Sequence, residues 1–151
     1  MLDLKRWIAV GIALVSWCLG HAVVFELEPN SSISSAQVIS RPSGPFAEVV
    51  MANLAVGGGD RDYYKVQLSS AEVLSLIVTP TQGPFDNPDT VLAVFDTSGN
   101  QLAFNDDAGN GFGSALRFQA QATAHYIVAV SGYPDDLFLG NHTVSGSYAL
   151  T

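Results

Sequence analysis

The residues best suited to chemistry fall into three oxygen-rich groups: Glu26-Leu27-Glu28-Pro29-Asn30; Asp60-Arg61-Asp62, behind a run of three glycines; and Asn105-Asp106-Asp107, with Asp86, Asn87 and Asp89 upstream. Calcium takes about six to eight oxygen ligands and draws them most readily from loops. In an extended segment, residues two apart project to the same side. Glu26 and Glu28 can therefore face one ligand, and so can Asp60 and Asp62. The same residue types also mark turns, because their side chains accept hydrogen bonds from nearby backbone amides. For the first two groups both readings stand open. For Asn105-Asp106-Asp107 the turn reading is preferred.

Other chemistries are narrowed by inventory. Cys18 is the only cysteine and lies in the apolar N-terminal run, so a mature chain would carry no thiol nucleophile. A Ser–His–Asp triad would have to use His125 or His142, and no Gly-x-Ser-x-Gly elbow accompanies either. The His-Glu-x-x-His pattern of zinc hydrolases is missing as well. His125 reads as a strand residue facing solvent and His142 as a loop residue. A carboxylate-pair hydrolase survives on composition alone, as a remote alternative. Catalytic residues are therefore expected to be none. Nucleic acid is excluded as a partner. The net charge is −8, and the basic residues beyond the leader, Arg41, Arg61, Lys65 and Arg117, are scattered along the chain.

Lys5 and Arg6 precede the apolar run Trp7 to Leu19, and Gly20-His21-Ala22 supplies small residues around a cleavage point near Val23. This is the pattern of a secretory signal peptide. The run falls short of the ~20 residues of a membrane span, so membrane attachment is expected only if the leader stays uncleaved. Trp17 stands before Cys18, where a lipoprotein signal wants a small residue. The destination is extracytoplasmic, either periplasmic or secreted. Without disulfides, stability must come from core packing, with a metal ion as the additional candidate.

The chain of 151 residues is 48% hydrophobic and only 13% charged, a composition that folds. Short β-type runs follow one another at Phe46 to Val56, Tyr63 to Leu68, Glu72 to Thr79, Thr90 to Phe95, Gln101 to Phe104, Ala115 to Ala120, His125 to Val130 and Val144 to Leu150. Turn residues separate them, with Asp96-Thr97-Ser98-Gly99-Asn100 the clearest hairpin. About eight strands of this kind predict an all-β sandwich or barrel. The expected organisation is a signal peptide over 1–22, an acidic segment and linker over 23–45, and the β-domain over 46–151.

The order of the motifs carries more than any one of them. Glu26 to Asn30 is followed by Gly59-Asp60-Arg61-Asp62-Tyr63-Tyr64-Lys65-Val66, then by Val91 to Asp96 with Leu102-Ala103-Phe104-Asn105-Asp106-Asp107, and finally by Tyr126 to Val130 with Gly146-Ser147-Tyr148. From about Glu26 to Leu150 this resembles the bacterial prepeptidase C-terminal domains, modules carried by secreted peptidases. The resemblance implies a jelly-roll β-sandwich, similar to the collagen-binding domains of collagenases. It implies a non-catalytic role in secretion, localisation or binding of extracellular polymers. It also implies calcium as the cofactor, held at positions that carry over to Glu26, Glu28, Asn30, Asp60 and Asp62. Ser31 stands where some relatives place a further acid, and Ala122-Thr123-Ala124-His125-Tyr126 lacks the glycine common before that strand. The expected partner is an extracellular protein or polysaccharide, or a secreted enzyme in trans. A carbohydrate-binding or adhesion module of the cell envelope is the alternative. Tyr63, Tyr64, Tyr126, Tyr133 and Tyr148 are the tyrosines available for a contact surface, with core packing the default for most of them, and of the adjacent pair one ring should face the core and the other outward.

Overall fold

The computed structural model describes residues 21–41, 44–55, 59–81, 87–108 and 111–151. Residues 1–20 of the expected leader, Gly57 and Gly58 of the glycine run, and Asp86 lie outside the described residues. The strands are β1 (His21–Phe25), β2 (Gln37–Val38), β3 (Ala47–Leu54), β4 (Asp62–Leu68), β5 (Val73–Pro80), β6 (Thr90–Phe95), β7 (Gln101–Asn105), β8 (Ala115–Gln119), β9 (Ala124–Gly132) and β10 (Gly146–Leu150). They form two five-stranded sheets, ordered β1-β3-β10-β5-β8 and β2-β4-β9-β6-β7. Without the edge strands β1 and β2, the orders β3-β10-β5-β8 and β4-β9-β6-β7 are those of a jelly roll. The expected all-β sandwich is therefore the observed fold.

Strands β1 and β2 are additions to the expected set. β1 runs parallel to β3, with His21 opposite Ala47, and β2 runs parallel to β4, with Gln37 opposite Tyr64. β1 begins at the expected cleavage region, and β2 occupies two residues of a stretch that reads as polar linker. Pairing at a sheet edge is made by backbone groups and requires no alternation of side chains.

Alternation sets the core. On β4, Tyr64, Val66 and Leu68 turn into the space between the sheets, where they meet Leu54, Val78, Leu92, Val130 and Tyr148. Strands β6 and β9 are apolar on both faces. Val91, Ala93, Phe95, Ile127 and Ala129 point away from that core yet are buried, together with Tyr63, under Phe138, Ile33 and Ala36. Phe138 meets Phe95 edge to face at 5.3 Å between ring centroids. The segment 31–36 and the loop 133–140 thus cap the outer face of the second sheet. The loop is seated against the start of β4 through Gly59 and Gly140, which have φ of +81° and +74°. A Cβ on Gly140 would stand 2.7 Å from the Gly59 carbonyl oxygen, so only glycine fits the approach.

Leu92 is fully buried between the sheets and pairs with Val130 and Asn105 on either side. Leu92→Ala is expected to cost about 2–5 kcal/mol. A urea titration should show a lower midpoint with an unchanged m-value.

Candidate metal centre

After β1 the chain crosses from the first sheet to the second, and the acidic segment lies in that crossing. The Glu26 amide donates to the Met51 carbonyl at 3.0 Å, and the Tyr63 amide donates to the Asn30 carbonyl at 3.1 Å. The segment is therefore fastened to β3 on one side and to β4 on the other. This brings Glu26 and Glu28 to Asp62, the first residue of β4. One carboxylate oxygen from each of the three lies within 4.8 Å of the others.

Asn30 completes the group. Its backbone amide donates to Glu28 Oε2 at 2.7 Å, and its Nδ2 donates to Glu26 Oε1 at 3.1 Å. Its Oδ1 is buried without a hydrogen-bond partner, and so is Asp62 Oδ1; both residues are 0% exposed. A buried acceptor left without a donor costs about 1–3 kcal/mol. Asp60 stands beside this group rather than in it. Its Oδ2 accepts from the Ala55 amide at 2.6 Å and its Oδ1 from the Arg61 amide at 3.0 Å, while its carbonyl oxygen meets His142 Nε2 at 2.7 Å. Asp60 still acts as a neighbouring negative charge on Glu28 and Asp62.

Two tyrosines stand behind the carboxylates. Tyr64 on β4 donates to Glu26 Oε1 at 2.9 Å, Tyr148 on β10 lies 2.5 Å from Asp62 Oδ2, and the two hydroxyls are 2.9 Å apart. These three contacts need three hydrogens, and two phenols supply two. Tyr64 donates to Glu26 and Tyr148 to Asp62, so the contact between the two hydroxyls holds a hydrogen only when one of the carboxyls carries a proton. The electrostatics agree. Burial, with the Glu26 charge next in size, pushes the Asp62 carboxyl up to about 10. Burial also raises Glu28 and keeps both tyrosines protonated. Sequence reasoning left Tyr148 among five equivalent tyrosines. Its sharing a strand face with Leu150, two residues on, was legible, but neither its full burial nor its meeting with Asp62 was.

The remaining candidates are distributed as follows. Tyr64 faces the core as one of the adjacent pair must, but Tyr63, on the opposite face, is buried too because Phe138 covers it. His125 is exposed, as expected, whereas His142 lies in the loop before β10 and is buried. Asn105, the last residue of β7, accepts through Oδ1 from the amide of Ala115, the first residue of β8, at 3.1 Å. Asp89, Asp106 and Asp107 converge, with carboxylate oxygens within 4.8 Å of one another.

No family model matches the chain, and no curated protein does. Among solved structures, the fold is similar to the pre-peptidase C-terminal domain of a collagenase from Bacillus anthracis. The TM-score is 0.54 at 20% identity, covering 77% of this chain and 92% of that one. A periplasmic inhibitor of g-type lysozyme from Aeromonas hydrophila aligns with a TM-score of 0.47 at 12% identity, over 87% of this chain and 98% of that one. The resemblance read from the order of the motifs is thus borne out at the level of the fold.

The raised Asp62 carboxyl sets the sign of a pH effect on the metal-free chain. An unfolded aspartate loses its proton near pH ~4, while the folded one keeps it far longer. The unfolded state therefore binds fewer protons over that interval, and stability falls as pH rises from about 4 through neutrality. Glu28, Asp89 and Asp106 are raised by burial and act in the same direction, while Asp96 and Glu72, held low by hydrogen bonds from Asn100 and Arg41, lose their contribution only as pH falls below about 4 and leave this interval unchanged. In chelator, the melting temperature is expected to fall between pH 5 and pH 8 and to fall less in Asp62→Asn. Parallel slopes in the two proteins would assign the effect elsewhere.

Proposed function

We propose that the chain is an exported, non-catalytic β-sandwich module that binds or assists another macromolecule and is stabilised by one calcium ion. The observation that carries the metal is the meeting of Glu26, Glu28 and Asp62 around two buried oxygens, Asn30 Oδ1 and Asp62 Oδ1, that lack donors. An all-oxygen set of carboxylates and one amide suits a hard cation and does not suit zinc or copper. Glu26, Glu28, Asn30 and Asp62 would hold it, with Asp60 adding negative charge beside them. When bound, calcium supplies the positive charge that lets all three carboxylates ionise in a buried setting. The site lies where the acidic crossing joins the two sheets, so the ion would fasten β1 and β4 to one point.

The accessory role draws support from the likeness of fold to a collagenase's pre-peptidase C-terminal domain. Export draws support from the leader pattern of Lys5 to Ala22. The partner class follows: an extracellular protein or polysaccharide, or a secreted enzyme acting in trans.

Calcium titration by calorimetry, with thermal melts in calcium and in chelator, tests the centre. At calcium 100-fold above Kd the gain is about 2.7 kcal/mol, seen as a higher melting temperature. Glu26→Gln with Asp62→Asn should abolish both the heat and the shift. A wild-type melt indifferent to calcium would overturn the metal centre.

A further inference from the structure

The loop that follows β9 is firmly braced. Asp135 is fully buried and accepts from Ser131 Oγ at 2.7 Å, the Leu139 amide at 2.7 Å and the Gly140 amide at 2.9 Å. Phe138 is sunk against Tyr63 and Phe95, and Arg61 Nη1 donates to its carbonyl at 2.8 Å from beneath. Yet this braced loop leaves Tyr133 48%, Leu137 73% and Leu139 65% exposed. Apolar side chains grouped in water mark interaction surfaces when they are held in place rather than scattered.

The surroundings give the group a sign. The Tyr133 amide donates to the Asp89 carbonyl at 2.8 Å, which sets the loop beside the Asp89, Asp106 and Asp107 carboxylates. Asp136, in the loop itself, is near enough to bear on Asp106. Phe112, 56% exposed, adjoins the same edge through its carbonyl, which accepts from the Thr90 amide at 2.9 Å. Among the described residues the one salt bridge joins Arg41 to Glu72 at 2.6 Å, so these four carboxylates have no ion pair.

We propose that the Tyr133–Leu139 loop and the carboxylates beside it form a docking surface for a cationic protein partner, one that presents lysine or arginine around apolar side chains. Charge complementarity selects this occupant. A second copy of the chain would set the same carboxylates against each other, and an anionic lipid surface would be repelled. The surface involves none of Glu26, Glu28, Asn30 or Asp62, so it stands or falls apart from the calcium centre.

The test uses the purified chain and a synthetic peptide of alternating lysine and leucine, with a lysine–serine peptide of equal charge as control. The lysine–leucine peptide should bind, more weakly as salt rises, and at least tenfold more tightly than the control. Leu137→Ser with Leu139→Ser should weaken it about tenfold, and so should Asp106→Asn with Asp136→Asn. These side chains are exposed or half-buried, so the fold should survive. If a variant melts early, amide shift changes on the wild-type chain take its place, and they must centre on residues 133–139. Equal binding of both peptides, unchanged affinity in the variants, or shifts elsewhere would overturn the proposal. So would vesicle binding or self-association lost on changing the two leucines, without peptide binding.

Discussion

The seam where the two sheets meet carries carboxylates into the interior with no basic side chain among the described residues to balance them. Glu26 and Asp62 approach from different elements, and the hydroxyls of Tyr64 and Tyr148 join them across the gap between β4 and β10. Two ionised carboxylates in such a place would repel each other and lose their hydration together. The site therefore needs a positive charge of some kind, either a proton or a metal ion. Much of the architecture at this end of the sandwich is arranged around that need. The acidic crossing is fastened to both sheets, β4 begins with Asp62, and β10 places its tyrosine opposite.

A second constraint follows from the strands at the centre of the other sheet. β6 and β9 are apolar on both faces, so a sandwich of two sheets alone would leave one of those faces in water. The segment 31–36 and the loop 133–140 cover it. That demand explains the bracing of the loop: Phe138 must stay down, and the Asp135 hydrogen bonds hold the turn that keeps it there. The same turn leaves Leu137 and Leu139, on either side of the buried Phe138 in the chain, exposed to solvent.

The two regions share a support. His142 reaches the Asp60 carbonyl, Arg61 reaches the Phe138 carbonyl, and Gly59 and Gly140 touch backbone to backbone. The residues that sequence inspection grouped as one acidic motif, Asp60-Arg61-Asp62, thus divide between two tasks. Asp62 enters the candidate centre, while Asp60 and Arg61 fasten loops. Their alternation is real, but a shared side of the chain does not mean a shared partner.

The sequence by itself determined the fold class, the boundaries of most strands and which residues of β9 share a face, because these follow from period-two alternation and local turn chemistry. It also marked Glu26, Glu28, Asn30 and Asp62 as oxygen donors. Only the tertiary structure decided that these four come together, that Asp60 does not join them, and that Tyr64 and Tyr148 stand behind them. Those contacts join residues 38 and 86 positions apart, and no local pattern encodes such a distance. The edge strands β1 and β2 escaped notice for a related reason: their pairing belongs to the backbone, which every sequence shares. Asp89, Asp106 and Asp107, one oxygen-rich group already in the sequence, converge because the antiparallel pairing of β6 and β7 sets the start of one strand beside the end of the other.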